Sequence, residues 1–255
     1  MSSNKSEAKY TVITGASAGI GEALAYKFAS EGHNLILTAR RFELLELLKV
    51  SLIKEYDIDV ILIPADLGNS EALEKLYTKT KDYAIDVFIN NAGLGDYSYA
   101  WDLNLAKANS MIDVNIKALS MLSLKFIQDY IDEDSTLINV SSGGGYFVLN
   151  KAVTYCATKF FVSSFTEGVA QNLKHQNKRL RVKVLAPAGT NTEFVSIAEQ
   201  DAGFKGADIF DTSAFISAEL LAEHAYKLFK SDKIVGIVKG GNEFELRDPI
   251  FPYGG

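Results

Sequence analysis

Residues 10–21 read Tyr10-Thr11-Val12-Ile13-Thr14-Gly15-Ala16-Ser17-Ala18-Gly19-Ile20-Gly21, and the run Glu22–Ala29 behind them is rich in helix formers. A short β-branched run that stops at a glycine and resumes as a helix is a strand, a tight turn and a helix start. Gly15 suits the sharp exit from the strand. Gly19 and Gly21 let backbone approach a ligand phosphate and let the helix pack closely on a sheet. The unpaired N–H groups and positive dipole end of that helix would then face a pyrophosphate. The stretch is not a Walker A loop, since no Gly-Lys-Ser/Thr follows, and it lacks the commoner GxGxxG spacing. Taken alone, the glycines also fit a turn with no ligand.

Working outward, short apolar runs keep alternating with longer amphipathic stretches. Further strands are predicted near Asn34–Thr38, Asp59–Ile63, Asp86–Asn90, Thr136–Val140, Arg181–Leu185 and Ile234–Val238. A helix is predicted over Phe42–Tyr56, with Leu44, Leu45, Leu48, Leu52 and Tyr56 on one face. Seven strands with intervening helices make a doubly wound, Rossmann-type α/β fold: a parallel sheet with helices on both faces. No linker, repeat or long charge run interrupts it, so residues 1–255 are expected to form a single domain. Ligands bind such sheets at the carboxyl ends of the strands, where the winding direction reverses.

Composition excludes several classes of function. The 255 residues carry 26 Lys and Arg against 32 Asp and Glu, a net charge of −6, with 47% hydrophobic residues and only 4 prolines. That is an ordinary globular chain. Its acidic balance speaks against nucleic acid or an anionic membrane as partner. Cys156 is the single cysteine, so no intrachain disulfide forms. His33, His175 and His224 lie far apart, and no metal-ligand spacing occurs, so no metal is expected. The polar start MSSNKSEAKY and the absence of a long apolar stretch predict a soluble, cytoplasmic protein with no membrane attachment.

Two further patterns carry chemistry. After the second strand the sequence runs Leu37-Thr38-Ala39-Arg40-Arg41, with no acid before Glu43. Folds selective for NAD place an acid there for the ribose hydroxyls. Two guanidiniums instead suit a 2′-phosphate; the plainer alternative is a solvated arginine pair, at some cost against the helix dipole. Further on stand Ser141-Ser142 and then Tyr155-Cys156-Ala157-Thr158-Lys159. Four residues apart on a helix, Tyr155 and Lys159 share a face. Lowering a phenol by about 3 pKa units takes roughly 4 kcal/mol of phenolate stabilisation, much of which a nearby ammonium can supply. Alone, such a pair is common on helix surfaces. Cys156, one residue round the turn, reads as a packed thiol.

Asn90-Asn91-Ala92-Gly93 ends the fourth strand, and Asp113-Val114-Asn115 follows. In order and approximate spacing these motifs, from TGASAGIG to Pro187-Ala188-Gly189-Thr190-Asn191-Thr192, resemble the short-chain dehydrogenase/reductase family, in its branch of about 250 residues. The resemblance covers nearly the whole chain. It implies that Gly15, Ser17, Gly19, Ile20 and Gly21 hold the pyrophosphate end of an NADP cofactor, that Asp66 and Leu67 flank its adenine, and that Asn91, Ala92 and Gly93 support the central strand and adenine ribose. It also implies cofactor contacts from Arg40, Arg41, Pro187, Thr190 and Thr192. Asn115, Ser142, Tyr155 and Lys159 match the family's catalytic tetrad. Tyr155 would exchange a proton with the substrate oxygen and Ser142 would hydrogen-bond it. Lys159 would lower the Tyr155 pKa and bind the nicotinamide ribose, and Asn115 would hold a relay water.

The family's usual Pro-Gly is here Pro187-Ala188, which places Thr190 and Thr192 in doubt, and Glu243–Gly255 fits the pattern only loosely, as an interface or a lid. The expected activity is NADP-dependent interconversion of a carbonyl and a secondary alcohol. A nucleotide-sensing binding protein without turnover is the alternative. Loops 94–101, 143–154 and 193–214, with Tyr97, Tyr99, Trp101, Tyr146, Phe147, Phe194, Phe204 and Phe210, are expected to wall the pocket for a small-molecule substrate. Relatives pair the helices of segments 103–130 and 154–173 across a dimer, so a homodimer or homotetramer is expected.

Overall fold

Alternation along the first strand decides how the core divides. In β1 (Lys9–Thr14) Ile13 points to one face of the sheet, while Tyr10 and Val12 point to the other. Both faces are therefore buried, as a parallel sheet requires. In the computed structural model, which describes residues 8–200, 202–239 and 243–254, the chain continues through α1 (Gly19–Ser30), β2 (Asn34–Thr38), α2 (Phe42–Glu55), β3 (Val60–Leu62), α3 (Ser70–Thr80) and β4 (Ala84–Asn90). Next come α4 (Leu105–Ile112), a π-helical turn over Asp113–Ala118, α5 (Leu119–Tyr130), β5 (Thr136–Val140) and the long α6 (Val153–His175). The last part holds β6 (Arg181–Ala186), β7 (Thr190–Asn191), α7 (Glu193–Ala198), β8 (Ile216–Ser217), α8 (Ala218–Lys230), β9 (Val235–Val238) and β10 (Phe244–Arg247). Residues 1–7 and Gly255, the ends of the expected domain, lie outside the described residues.

The main sheet runs β3-β2-β1-β4-β5-β6-β9-β10. Winding reverses between β1 and β4, which pair in parallel, and that is the switch point where a ligand crevice opens. Phe28, Leu45, Leu52, Leu221 and Leu228 fill the layer on one face; Leu76, Leu122, Phe126 and Leu173 fill the other. Behind the crevice a buried polar chain joins the layers. The Asn90 Nδ2 donates to Asn139 Oδ1 (3.0 Å) and Ser123 Oγ (3.1 Å), and Asn139 Nδ2 donates to Thr166 Oγ1 (3.0 Å).

Two expectations need correction. The sheet has eight strands rather than seven, because β10 adds antiparallel to β9. Its sequence, Phe-Glu-Leu-Arg, escapes an apolar-run search because an edge strand is paired on one side and half of these residues face water. In α2 the residues Leu45, Leu48 and Leu52 are buried, and Tyr56, just past the helix end, packs against the same core, but Leu44 is 36% exposed. The stripe that meets the sheet is thus narrower than the leucine spacing suggests.

Candidate active site

A cleft of about 910 Å³ follows the carboxyl ends of the strands, bordered by the glycine turn on one side and α7 on the other. Gly15 (φ +67°) and Gly19 (φ +58°) are left-handed, a conformation that L side chains rarely adopt. Gly21 serves a different need: a methyl there would come within 2.1 Å of the Gly15 carbonyl oxygen. The first turn of α1 has no side-chain cap, leaving its N–H groups directed at the cleft margin. Asn91 fastens the turn, donating from Nδ2 to the Thr14 and Gly15 carbonyls at 3.0 and 3.3 Å. Thr14 Oγ1 in return accepts from the Asn91 and Ala92 N–H groups, both at 3.0 Å.

This cradle tests the cofactor expectation on the molecule itself. A dinucleotide needs open backbone donors and close approach, which the uncapped α1 start and the two left-handed glycines provide. Thr38 Oγ1, buried at the end of β2 on the cleft wall, has no hydrogen-bond partner among the described residues. The residues present fit such a group. Ile20, Asp66, Leu67, Gly93, Pro187, Thr190 and Thr192 also line the cleft, as expected. Asp66 Oδ1 closes a turn onto the Gly68 N–H (3.0 Å), Thr190 Oγ1 donates to the Ala188 carbonyl (3.0 Å), and Thr192 caps α7. Ala188 itself packs against the core, and Gly189 is required by Phe215, whose ring atom lies 2.2 Å from where a methyl would stand.

Arg40 and Arg41 both border the cleft but differ in state. Arg40 is exposed, with no hydrogen bond or ion pair among the described residues. Arg41 is engaged by Ser17 and Glu193.

Ser142, Tyr155 and Lys159 converge on the middle of the cleft. Ser142 leaves the end of β5, where its Oγ accepts from the Gly144 N–H at 3.1 Å; Tyr155 and Lys159 stand one turn apart on α6. Gly145 keeps this junction tight, since a methyl would press on Ser141, Ser163 and the Lys159 carbonyl. Lys159 Nζ donates to the Val140 carbonyl (3.0 Å) and lies 5.9 Å from the Tyr155 ring centre. Burial pushes the Tyr155 phenol up to about 12, against a hydrogen bond with Ser142 that pulls it down. Burial also holds the Lys159 ammonium down at about 8. The expected lowering of Tyr155 by Lys159 is absent in this geometry: desolvation wins for both groups.

Asn115 departs from expectation as well. It does not line the cleft, although its neighbour Val114 does. Both its Nδ2 hydrogens are used, on the Leu94 carbonyl (2.8 Å) and Thr158 Oγ1 (3.0 Å), and its Oδ1 accepts from the Leu94 N–H (2.8 Å). The side chain thus ties the loop after β4 to α6 from within the π-helical turn. Its side-chain amide donors are therefore engaged within the protein.

Of the aromatic residues expected in the pocket wall, Tyr97, Phe147, Phe194 and Phe210 line the cleft. Tyr99, Trp101 and Phe204 pack on one another instead, and Tyr146 turns away to bond Glu167. Phe215 and Leu149 complete the wall without having been foreseen; Phe215 sits just past the loop boundary, and Leu149 gave no signal beside the aromatics. Cys156 is buried, with Sγ accepting from the Leu149 N–H at 3.3 Å. The far end of α7 is anchored by Lys107, whose ammonium lies 2.7 Å from the buried Asp96 carboxylate and donates to the Ala198 carbonyl at 3.3 Å.

A glycine cradle at the switch point of a doubly wound sheet defines a dinucleotide-binding protein. The family model described as short chain dehydrogenase matches residues 9–202, and the chain belongs to the short-chain dehydrogenase/reductase family, whose members are oxidoreductases of small molecules. It is 33% identical to an uncharacterised oxidoreductase of Staphylococcus saprophyticus, over 78% of this chain and 81% of that one. Among solved structures it resembles a short-chain dehydrogenase from Sphingobium yanoikuyae in complex with NADPH (TM-score 0.78, 28% identity, 90% of this chain and 87% of that one). It also resembles the bulky-bulky ketone specific alcohol dehydrogenase from Comamonas testosteroni (TM-score 0.75, 26% identity, 91% and 86%). Among the described residues no helix is long and apolar enough to cross a membrane.

Proposed function

We propose that this oxidoreductase uses NADP to interconvert an uncharged, apolar ketone and the corresponding secondary alcohol. The observation that carries the reading is the convergence of Ser142, Tyr155 and Lys159 beside the glycine cradle. When bound, the dinucleotide supplies or accepts the hydride. The cradle of Gly15, Ser17, Gly19, Ile20 and Gly21 holds the phosphates, and the Lys159 ammonium is placed to bond the nicotinamide ribose. In the direction of reduction Tyr155, kept protonated by burial, gives its phenolic proton to the substrate oxygen as negative charge develops there. Ser142 hydrogen-bonds the same oxygen and orients it. In the direction of oxidation Tyr155 must first lose its proton, so alcohol oxidation is favoured by rising pH while reduction proceeds through neutrality. Asn115 acts as a positioning residue, holding the loop that carries Gly93 against α6.

The substrate class is supported by the apolar and aromatic part of the cleft wall, Leu94, Tyr97, Leu149, Phe194, Phe210 and Phe215, which outweighs the lysines Lys159 and Lys239 that also line the cleft. The bulky ketone named for the Comamonas relative points the same way. A panel of bulky ketones set against short 3-oxo acids, with NADPH consumption as the readout, tests this reading; faster turnover of the acids overturns it.

NADP preference is supported by Arg40 and Arg41 and by the NADPH complex of the Sphingobium relative. Replacing both arginines by glutamine is expected to weaken NADPH binding by about tenfold or more, the scale of a lost charge-assisted contact pair, with NADH nearly unmoved. Equal losses for the two dinucleotides overturn the assignment.

For assembly, the exposed Leu105, Ile112, Met121 and Leu124 along α4 and α5 support a homodimer or homotetramer. Light scattering at micromolar concentration is expected to give at least a dimer mass; a monomer refutes it.

A further inference from the structure

We infer that Glu193 sets cofactor selectivity: through Arg41, its carboxylate holds the place that a 2′-phosphate would claim, so it opposes NADP and is neutral toward NAD. The inference rests on the NADP reading above and concerns a residue outside the glycine turn and the tetrad.

Arg41 stands at the start of α2, and its guanidinium reaches over the glycine turn. Nε and Nη2 donate to Ser17 Oγ at 3.3 and 3.2 Å, Nη1 donates to Glu193 Oε2 at 3.0 Å, and Nη2 also bonds Glu193 Oε1. Four of its five N–H groups are therefore in use. The contact with Glu193 is a two-pronged fork, the same edge that a phosphate monoester would engage. Arg40 beside it carries no such partner.

Glu193 is the first residue of α7, next to Thr192, whose side chain faces Gly19. The pair thus bridges the turn after β2 and the helix that borders the substrate end of the cleft. A 2′-phosphate can take Arg41 only by turning Glu193 away. That carboxylate then moves toward Glu22 on α1 and Glu219 on α8, which line the same groove; Glu223 there is paired with Lys27 at 2.9 Å. Glu22 is pushed up by burial and by the charges of Glu193 and Glu219, with Arg41 pulling the other way, so a carboxylate turned away from Arg41 still meets like charge. Glu193 consequently competes with a 2′-phosphate twice, by occupying Arg41 and by like-charge repulsion. NAD has no phosphate at that position and leaves the pair intact.

Arg41 and Glu193 are 45% and 41% exposed at their side chains, so the competition is modest and screened by salt. Glu193→Gln is expected to tighten NADPH binding by about two- to fivefold at low ionic strength and to move NADH by less than a factor of two. The gain should shrink in high salt. Titrations of NADPH and NADH against the full chain, the Glu193→Gln and Arg41→Gln variants and their double variant test this. Support is a selective gain in Glu193→Gln that disappears when Arg41 is already Gln. An equal change for both dinucleotides, a weaker NADPH complex, or a gain that persists without Arg41 overturns the inference. If Arg41→Gln still weakens NADPH alone, the NADP reading survives that failure; if the replacement of both Arg40 and Arg41 also leaves the two dinucleotides equally affected, both fall.

Discussion

Tyr155→Phe is expected to lower turnover by about 10²–10⁴-fold in either direction, the usual worth of a positioned general acid or base, while dinucleotide affinity stays within a factor of about two. Phenylalanine keeps the ring in its contact with Phe194, whose centre lies 5.9 Å away. It removes only the hydroxyl, the group bonded to Ser142. Any loss therefore reports on the proton rather than on packing. The pH profile supplies a second readout. With the phenol held at about 12, oxidation by the intact enzyme rises with pH, and in the phenylalanine variant that rise should vanish. Near-normal ketone reduction by Tyr155→Phe would place the proton elsewhere and end the tetrad assignment.

Lys159→Met is expected to do two opposite things: abolish useful turnover and dinucleotide affinity, and raise the melting temperature at pH 7. The side chain is buried, and burial holds its ammonium at about 8, well below the ordinary lysine value. Between pH 8 and the unfolded lysine value the unfolded chain binds more protons than the folded one, so stability rises with pH in that window. Below it, both states are charged and the fold carries the full desolvation cost. Methionine removes that cost and gives up one hydrogen bond to Val140. The net gain is about 1–3 kcal/mol at pH 7, worth several degrees in a chain of this size. Thermal unfolding at pH 7 and near pH 10 checks it: the gap between variant and wild type should close at the higher pH. A variant that melts earlier at pH 7, or one that binds NADPH normally, contradicts the role given to this ammonium.

What the sequence made legible follows from range. The turn at Gly15–Gly21 and the Tyr155–Lys159 pair are local patterns, so their elements could be read directly from spacing, while their meeting at one cleft is only what the family resemblance implies. Contacts between distant segments could not. Leu44 looks like a core leucine until the sheet beneath α2 proves to accept only Leu45, Leu48 and Leu52. Nothing local shows that the Asn115 amide bonds Leu94 and Thr158, 21 and 43 positions away. Glu193 reads as the first residue of a loop, and only the fold brings it to Arg41, 152 positions earlier. Strand β10 hides because half of its residues face water. Even the sign of the Tyr155 shift was out of reach, since desolvation depends on everything that packs around the ring.

Glu167 ties the loop after Ser142 to the far end of the described chain. This buried carboxylate on α6 accepts from the Tyr146 hydroxyl at 2.6 Å and from the Ile250 and Phe251 N–H groups at 2.5 and 2.9 Å, and Phe251 stacks on Tyr146. Tyr146 lies four positions after Ser142, so the footing of the serine loop includes residues made more than a hundred positions later. Until residues 250 and 251 dock, two of these three hydrogen bonds to the Glu167 side chain are missing, and the loop after Ser142 lacks that footing.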